Sequence, residues 1–463
     1  MKNYLKIRKI LNGDEFISNN NKQKIRIFTG FICIISILFL LCGFVGTVSA
    51  ADLVVNNGTT SSDIDSWMKK SSTVKGNNLI FNVARYDLND TIVVSKSINI
   101  KSNKNTLIYF NKNQDMFNIT SSQVNFSGLT LQHNGEGTED RGFSIIYSNS
   151  SKTIIVSIKN MSFIVNNNHM GTITIKTWKG NITNTKIIGK GTNYGVVSDK
   201  WIGNINKSSF TMEKNSSYSF VILETFTGNV SYTKFILKSS QSCALYFEKN
   251  WIGNSFYNNI TATGSESIGI FAKKWKGNLL NNKIIVSGSE SNGIYAEKWT
   301  GKISGSKIYT NGKDSIGIYS NSSTKGAIHK NTIYAKKGFA VTISKNVKVT
   351  SSNLISNKGN PKIYVFGPRV DITEVSSYPN SRNYDFRIEN NGEYNSKSSD
   401  LIITTKGFKK TVKVNSIKAG KYINIKVVLP KKYSTNKILK SARILYLDGY
   451  GKKVYSEYMK FKL

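Results

Sequence analysis

Apolar side chains recur along the middle of this chain in three columns that keep step with one another. Aromatic residues stand at Trp178, Trp201, Phe226, Trp251, Trp275 and Trp299, at intervals of 23, 25, 25, 24 and 24 residues. One interval on, Thr324 takes the aromatic's place while Gly326 keeps the glycine that follows two residues later. A second column lies nine residues after each member: Ile187, Phe210, Phe235, Ile260, Ile284, Ile308 and Ile333. A third falls 18 or 19 residues on, at Val196, Phe220, Leu245, Ile270, Ile294 and Ile318. Each unit therefore holds three short β-favouring stretches, as in "GKI", "KIY" and "GIY", separated by Gly, Asn, Ser and Lys turns. No segment sustains a 3.6-residue apolar period, which excludes helical repeats. A propeller blade, at about 40 residues, is too long. The spacing predicts a parallel β-helix of about 24 residues per coil, with each coil about 4.8 Å above the last and Ile284 directly beneath Ile308.

Less regular coils extend this solenoid. Upstream, "TIVVSKSINI", "NTLIYF", "VNFSGLTLQ" and "IKNMSFIV" read as strands, and Phe163 lies 24 residues before Ile187, in register. Ahead of them, "SSDIDSWMKK" spaces Ile64, Trp67 and Met68 as one helix face behind candidate Ser caps. A short helix there would seal the open end of the coil stack. The coils fade by about Ile355. From about Pro368, seven alternating stretches in some 95 residues predict an immunoglobulin-like β-sandwich. The expected organisation is an export segment over 1–50, a capping segment over 51–75, a repeat domain over 76–367 and a sandwich over 368–463.

Charge adds a partner class. The 463 residues carry 64 Lys plus Arg against 27 Asp plus Glu, a net +37. Such a balance suits nucleic acid, an anionic wall or acidic glycans. Only 8 of the basic residues are Arg, so the bidentate fork favoured for phosphates and bases is scarce, which argues against nucleic acid. Lys, Asn, Ile and Tyr are also the residues of AT-rich codons, so part of the excess can be genomic bias. The sandwich region has 20 basic and 8 acidic residues, about twice the positive density of the region before it.

Residues 27–48 form an uncharged apolar run behind Lys22, Lys24 and Arg26 and lead into "VSA-AD", so cleavage after Ala50 is expected. Uncleaved, the run is long enough to span a bilayer and would be the only membrane attachment. Either outcome exports the rest. Cys243 is then the one cysteine of the exported part, which excludes a disulfide framework and suits a small buried side chain. Twelve Asn-x-Ser/Thr sequons lie between Asn57 and Asn321 and none in the sandwich region, as on a glycosylated stalk.

The export signal, the stretch "IDSWMKK…LNDTIVVSKSINIKS" and the Asn-rich coils together resemble the adhesin-like surface proteins of methanogenic archaea. The resemblance covers roughly residues 25–360 and implies a right-handed β-helix of the pectin-lyase-like kind at the cell surface. The stretch from Pro368 to Gly407 resembles the adhesion-type modules often appended to such proteins. The closing stretch "YMKFKL" is not expected to act as a hydrophobic anchor.

Enzymes are the rival class, since many β-helix proteins cleave acidic polysaccharides. Hydrolysis needs two carboxylates facing across the scissile bond, and no repeated coil carries an Asp pair. The densest acidic cluster is His133, Glu136, Glu139 and Asp140, which reads as a solvated loop before it reads as a cation site. The histidines 133, 169 and 329 lack metal-ligand spacing, so neither metal nor cofactor is expected. Asp199, Glu224, Glu248 and Glu297 precede the aromatics, with Lys200, Lys249, Lys274 and Lys298 alongside, and read as a solvated charge ladder.

Two sets are candidate binding residues. Aligned and exposed, Trp178, Trp201, Phe226, Trp251, Trp275 and Trp299 would make a platform for sugar faces; buried, they would make a corner ladder. Trp299 shares strand parity with Ile303, which favours burial. Lys409, Lys410, Lys431 and Lys432 are the second set, a basic patch for an anionic wall polymer or for glycans of the same or neighbouring cells.

Overall fold

A computed structural model describes residues 52–70, 77–135, 142–166, 171–191, 194–320, 325–344, 346–357, 362–377, 382–434, 438–449 and 451–461. The apolar run 27–48, the residues Glu136, Glu139, Asp140, His169 and Thr324, and the Asn321 sequon lie outside these residues. No helix among the described residues is long and apolar enough to cross a membrane.

The chain winds into an all-β solenoid of about 12 turns. One sheet gives the count directly: twelve parallel strands, one per turn, from Arg85–Leu88 to Asn353–Ile355. We call it the third face. The other two faces merge into one long sheet, because strands such as Asn292–Ser304 bend through the corner between them without a break. The registers predicted by the columns are present. Ile284 pairs with Ile308, Phe163 with Ile187, Ile294 with Ile318 and Trp275 with Trp299. Alternation puts these residues inside, where they are 0–1% exposed apart from Trp275 at 2%. Each buried aliphatic side chain is worth about 1.5–3 kcal/mol, repeated at every coil.

The uneven intervals also have a physical form. Ser198 pairs with Ile222 but Lys200 pairs with Thr225, so the 25-residue step carries its extra residue as a bulge just before the corner. The columns beyond that point stay in register. The solenoid runs further than its sequence period, since Ile363–Val365 still pairs in parallel with Phe339–Ile343. It also starts earlier, with Leu53–Val55 on Asn77–Phe81.

Helix α1, Ser61–Lys70, covers the first turns as expected, with Ile64 and Met68 buried and Trp67 partly so. Its cap is Thr60 rather than a serine. Thr60 Oγ1 accepts the Asp63 N–H at 3.1 Å, and Asp63 Oδ2 accepts the Thr60 N–H at 2.7 Å, a reciprocal capping box. At the other end Lys96 Nζ donates to the Trp67 carbonyl at 3.0 Å and sits 3.3 Å from the centre of the Trp67 ring.

After Val365 the sheets become antiparallel. One holds Val370–Ser377, Asn383–Asn390 and Lys421–Val428; the other holds Phe408–Val414, Ser399–Thr405, Lys440–Leu447, Lys453–Tyr455 and Met459–Phe461. Both contribute to one core, including Tyr384, Phe386 and Ile388 from the first and Leu401, Ile403 and Ile444 from the second. The last apolar stretch, expected as one strand, is two, because Ser456 turns inward and its Oγ accepts the Ile444 N–H at 2.8 Å. The junction with the solenoid is close-packed. A Cβ on Gly367 would lie 2.4 Å from the Gly449 Cα, and Glu393 accepts hydrogen bonds from the Tyr364 hydroxyl at 3.1 Å and the Gly367 N–H at 3.3 Å.

Candidate functional site

The aromatic column is a corner, and it is closed. Trp178, Trp201, Phe226, Trp251, Trp275 and Trp299 are 0–2% exposed, which corrects their candidacy as a platform for sugars. The Trp-x-Gly spacing has a direct cause. Each indole N–H donates to a backbone carbonyl one coil earlier: Trp201 to Gly180 at 2.7 Å, Trp251 to Gly228 at 3.1 Å, Trp275 to Gly253 at 2.9 Å and Trp299 to Gly277 at 3.1 Å. The same glycines stack so closely that a Cβ on Gly277 would stand 1.7 Å from the Gly253 oxygen. The ring satisfies the carbonyl, and the glycine leaves room for the next coil. Trp251 and Trp275 lie parallel at 4.5 Å, faces against each other rather than toward solvent.

In the charge ladder before these aromatics the lysines are exposed, while Asp199, Glu224, Glu248 and Glu297 are half-buried. Glu224 bridges Lys200 at 3.1 Å and Lys249 at 3.5 Å, and these ammonium groups hold its carboxyl below the usual range. Glu248 accepts the Tyr246 hydroxyl. His133, read from sequence as part of a loop, is instead a core residue. Its Nε2 bonds the Gln114 carbonyl at 2.8 Å, its Nδ1 accepts the Gly135 N–H at 3.0 Å, and its ring meets Phe110 edge-on at 5.0 Å. Both nitrogens are engaged within the fold, the Nε2–H tautomer satisfies both bonds, and burial holds the imidazole pKa down. Cys243 is buried and burial pushes its thiol up.

Several sequon asparagines do structural work. Asn181 and Asn229 belong to a ladder in which each Oδ1 accepts the backbone N–H one coil later, as Asn181 does from Asn204 at 2.8 Å. Asn125 and Asn160 bond their counterparts Asn99 and Asn184.

The sandwich lysines converge on one edge. Phe408–Val414 and Lys421–Val428 are the outer strands of the two sheets, linked to each other through Lys410. The hairpin at Gly407 meets the short turn Lys431–Tyr433 through Phe408 and Tyr433, stacked at 4.7 Å, so Lys409 and Lys410 are brought toward Lys431 and Lys432. Lys409, Lys431 and Lys432 are exposed and have no ion-pair partner among the described residues. Lys410 differs. Its Nζ donates to the Val428 carbonyl at 2.7 Å, tying one sheet's outer strand to the other's. It is a strut first.

Two further aromatic sets, the first buried at Tyr246 and Phe271 and half-buried at Tyr295 and Tyr319, escaped the three-column reading. Tyr246, Phe271, Tyr295 and Tyr319 follow the third column by one residue, as in "GIY", and stack at 4.7, 5.4 and 4.4 Å. Tyr232 and Tyr257 form an exposed pair at 5.1 Å on another corner. Attention to the residue after each member of the third column would have found the first set. No family model matches the chain, and no curated protein matches it.

Proposed function

We propose that this chain is an exported, non-enzymatic surface protein of the adhesin-like kind: a solenoid stalk carrying a sandwich that engages an anionic wall polymer or acidic glycan through its lysine edge. The observation that carries the reading is the convergence of Lys409, Lys431 and Lys432, exposed and unneutralised, at the edge where Phe408 stacks on Tyr433 and Lys410 links the outer strands of the two sheets. Lysines also blunt open strand edges against aggregation, and that is the competing use of the same residues. The close-packed junction at Gly367 supports rigid presentation of the module. The solenoid is read as right-handed, on the handedness favoured for parallel crossovers. The sandwich is read as immunoglobulin-like. Its first, second and fifth strands share one sheet, and its third, sixth and seventh share the other with the fourth beside them.

The test is co-sedimentation of the full chain with isolated cell envelopes, comparing the parent with the Lys409→Gln, Lys431→Gln, Lys432→Gln variant. Binding should fall several-fold in the variant and largely vanish for the parent at about 0.5 M salt, where the Debye length is only a few ångströms. Equal binding by parent and variant would leave only the edge-blunting use.

A further inference from the structure

The third face carries a surface that the sandwich edge does not explain. Along its outside, Lys234, Lys283 and Lys307 are exposed in one register column, with Asn259 between the first two. Two residues on, a parallel column holds Ile236, Thr261, Ile285, Tyr309 and Tyr334, half-buried. Between Lys283, Ile285, Lys307, Tyr309 and Asn311 lies a shallow, open groove of about 400 Å³. The ammonium groups of Lys283 and Lys307 have no ion-pair or hydrogen-bond partner among the described residues.

The corner leading into this face supplies a second, independent observation. Every coil turns it through a left-handed residue: Asn184, Lys207, Tyr232, Tyr257, Asn281, Gly305 and Lys330. The fold explains the conformation, and asparagine or glycine takes it at least cost. Tyrosine does not, yet Tyr232 (φ 50°) and Tyr257 (φ 53°) occupy consecutive coils, 57% and 52% exposed, with their rings 12° from parallel. A bulky residue kept in such a conformation at the surface is better accounted for by what it meets than by the fold. Two residues further along the chain from these tyrosines stand Lys234 and Asn259, the first members of the exposed column.

We infer that the third face is a binding track for a linear acidic polysaccharide of the uronic acid class, lying along the solenoid axis. Adjacent strands place the lysines about 4.8 Å apart, close to the advance of one pyranose residue in an extended chain. Lys283 and Lys307 would meet successive carboxylates, and Tyr309 would supply an apolar ring beside the sugar's own apolar face. Nucleic acid fits less well, since the one arginine among the described residues of this face, Arg85 on its first strand, is already paired with Asp87 at 2.7 Å. The inference does not require the sandwich edge to bind anything.

The experiment uses the full chain with Lys409→Gln, Lys431→Gln and Lys432→Gln already introduced, so that the sandwich edge contributes little. Calorimetric titration with oligogalacturonate at low salt should give measurable binding. Lys283→Gln with Lys307→Gln should weaken it at least tenfold, and Tyr309→Ala several-fold, with unchanged thermal midpoints. Lys276→Gln with Lys325→Gln removes equal charge from exposed positions on the long merged sheet and should change affinity less than twofold. Equal losses from the two lysine pairs would reduce the track to net charge and overturn it, as would no binding before the third-face changes. Tighter binding of a single-stranded oligonucleotide with the same variant pattern would overturn the polysaccharide assignment. Loss of envelope binding through the sandwich lysines, or its absence, changes none of these outcomes.

Discussion

Replacing Trp275 by alanine should unzip the corner that sets the repeat. The ring is 2% exposed, lies 4.5 Å from Trp251 and 6.1 Å from Trp299, and donates to the Gly253 carbonyl at 2.9 Å. Truncating a buried tryptophan costs about 3–5 kcal/mol. Within that figure the lost indole bond accounts for about 1 kcal/mol, and each ring pair for about 0.5–1.5 kcal/mol. Trp275→Phe separates the contributions. It keeps most of the ring volume and loses the indole donor, so it should cost only about 1–2 kcal/mol. The chain already tolerates that state at Phe226, which has no N–H to offer Gly203. Urea denaturation of the full chain, followed by circular dichroism, gives the free energies. Hydrogen exchange over residues 250–304 checks that the loss is centred on the neighbouring coils, as nearest-neighbour stacking requires. An alanine variant within about 1 kcal/mol of the parent would refute the buried-corner argument. So would a phenylalanine variant as costly as alanine. Loss of glycan binding at unchanged stability would restore the column as a binding site.

Two further outcomes follow from particular side chains. Burial depresses the His133 pKa below its ordinary value of 6.5, so the unfolded chain binds the proton more readily than the folded one. The contribution is complete above about pH 6.5 and is lost as pH falls from there toward the folded pKa. Thermal midpoints between pH 7.5 and 5 should decline in the parent and flatten in His133→Gln; parallel curves would contradict the assignment. At the sandwich edge, Lys410→Ala should destabilise by about 1 kcal/mol through its lost bond to Val428, whereas Lys409→Ala should stay within about 0.5 kcal/mol. Equal effects in urea titrations would remove the strut.

The solenoid was legible because its periodicity is a property of inward-facing residues. Any residue pointing into the stack meets its counterpart 4–5 Å away, so Ile284 and Ile308 must match and their spacing shows it. The capping helix was legible for the same reason, through Ile64 and Met68, while its cap was misplaced by one residue because Thr60 and Ser61 are both competent. Outward positions obey no such rule. Tyr232 and Tyr257 stand where neighbours are Lys207 and Asn281, so no column announces them. The sandwich lysines were found by density alone. Density could not separate Lys410, whose Nζ is spent on a carbonyl across the edge, from Lys409 beside it.

The two excesses in composition therefore have different standing. Asparagine is consumed by the architecture. It caps backbone N–H groups from coil to coil along Asn181, Asn204, Asn229, Asn254 and Asn278, and fills left-handed turns at Asn105, Asn160, Asn184 and Asn281. On an inward ladder Asn258, Asn282 and Asn331 donate to the carbonyls of Val230, Ser255 and Ile303. Codon bias could supply such residues but would not sort them into bonded columns. Lysine is sorted too, on the third face and at the sandwich edge, yet there the fold makes little use of the charge. The ammonium groups of Lys283, Lys307, Lys409 and Lys431 meet no partner among the described residues, Lys432 meets only the Tyr433 ring at 5.6 Å, and like charges gathered on one surface repel one another. A feature that the fold must bear without benefit points outward, to an anionic partner that neutralises it.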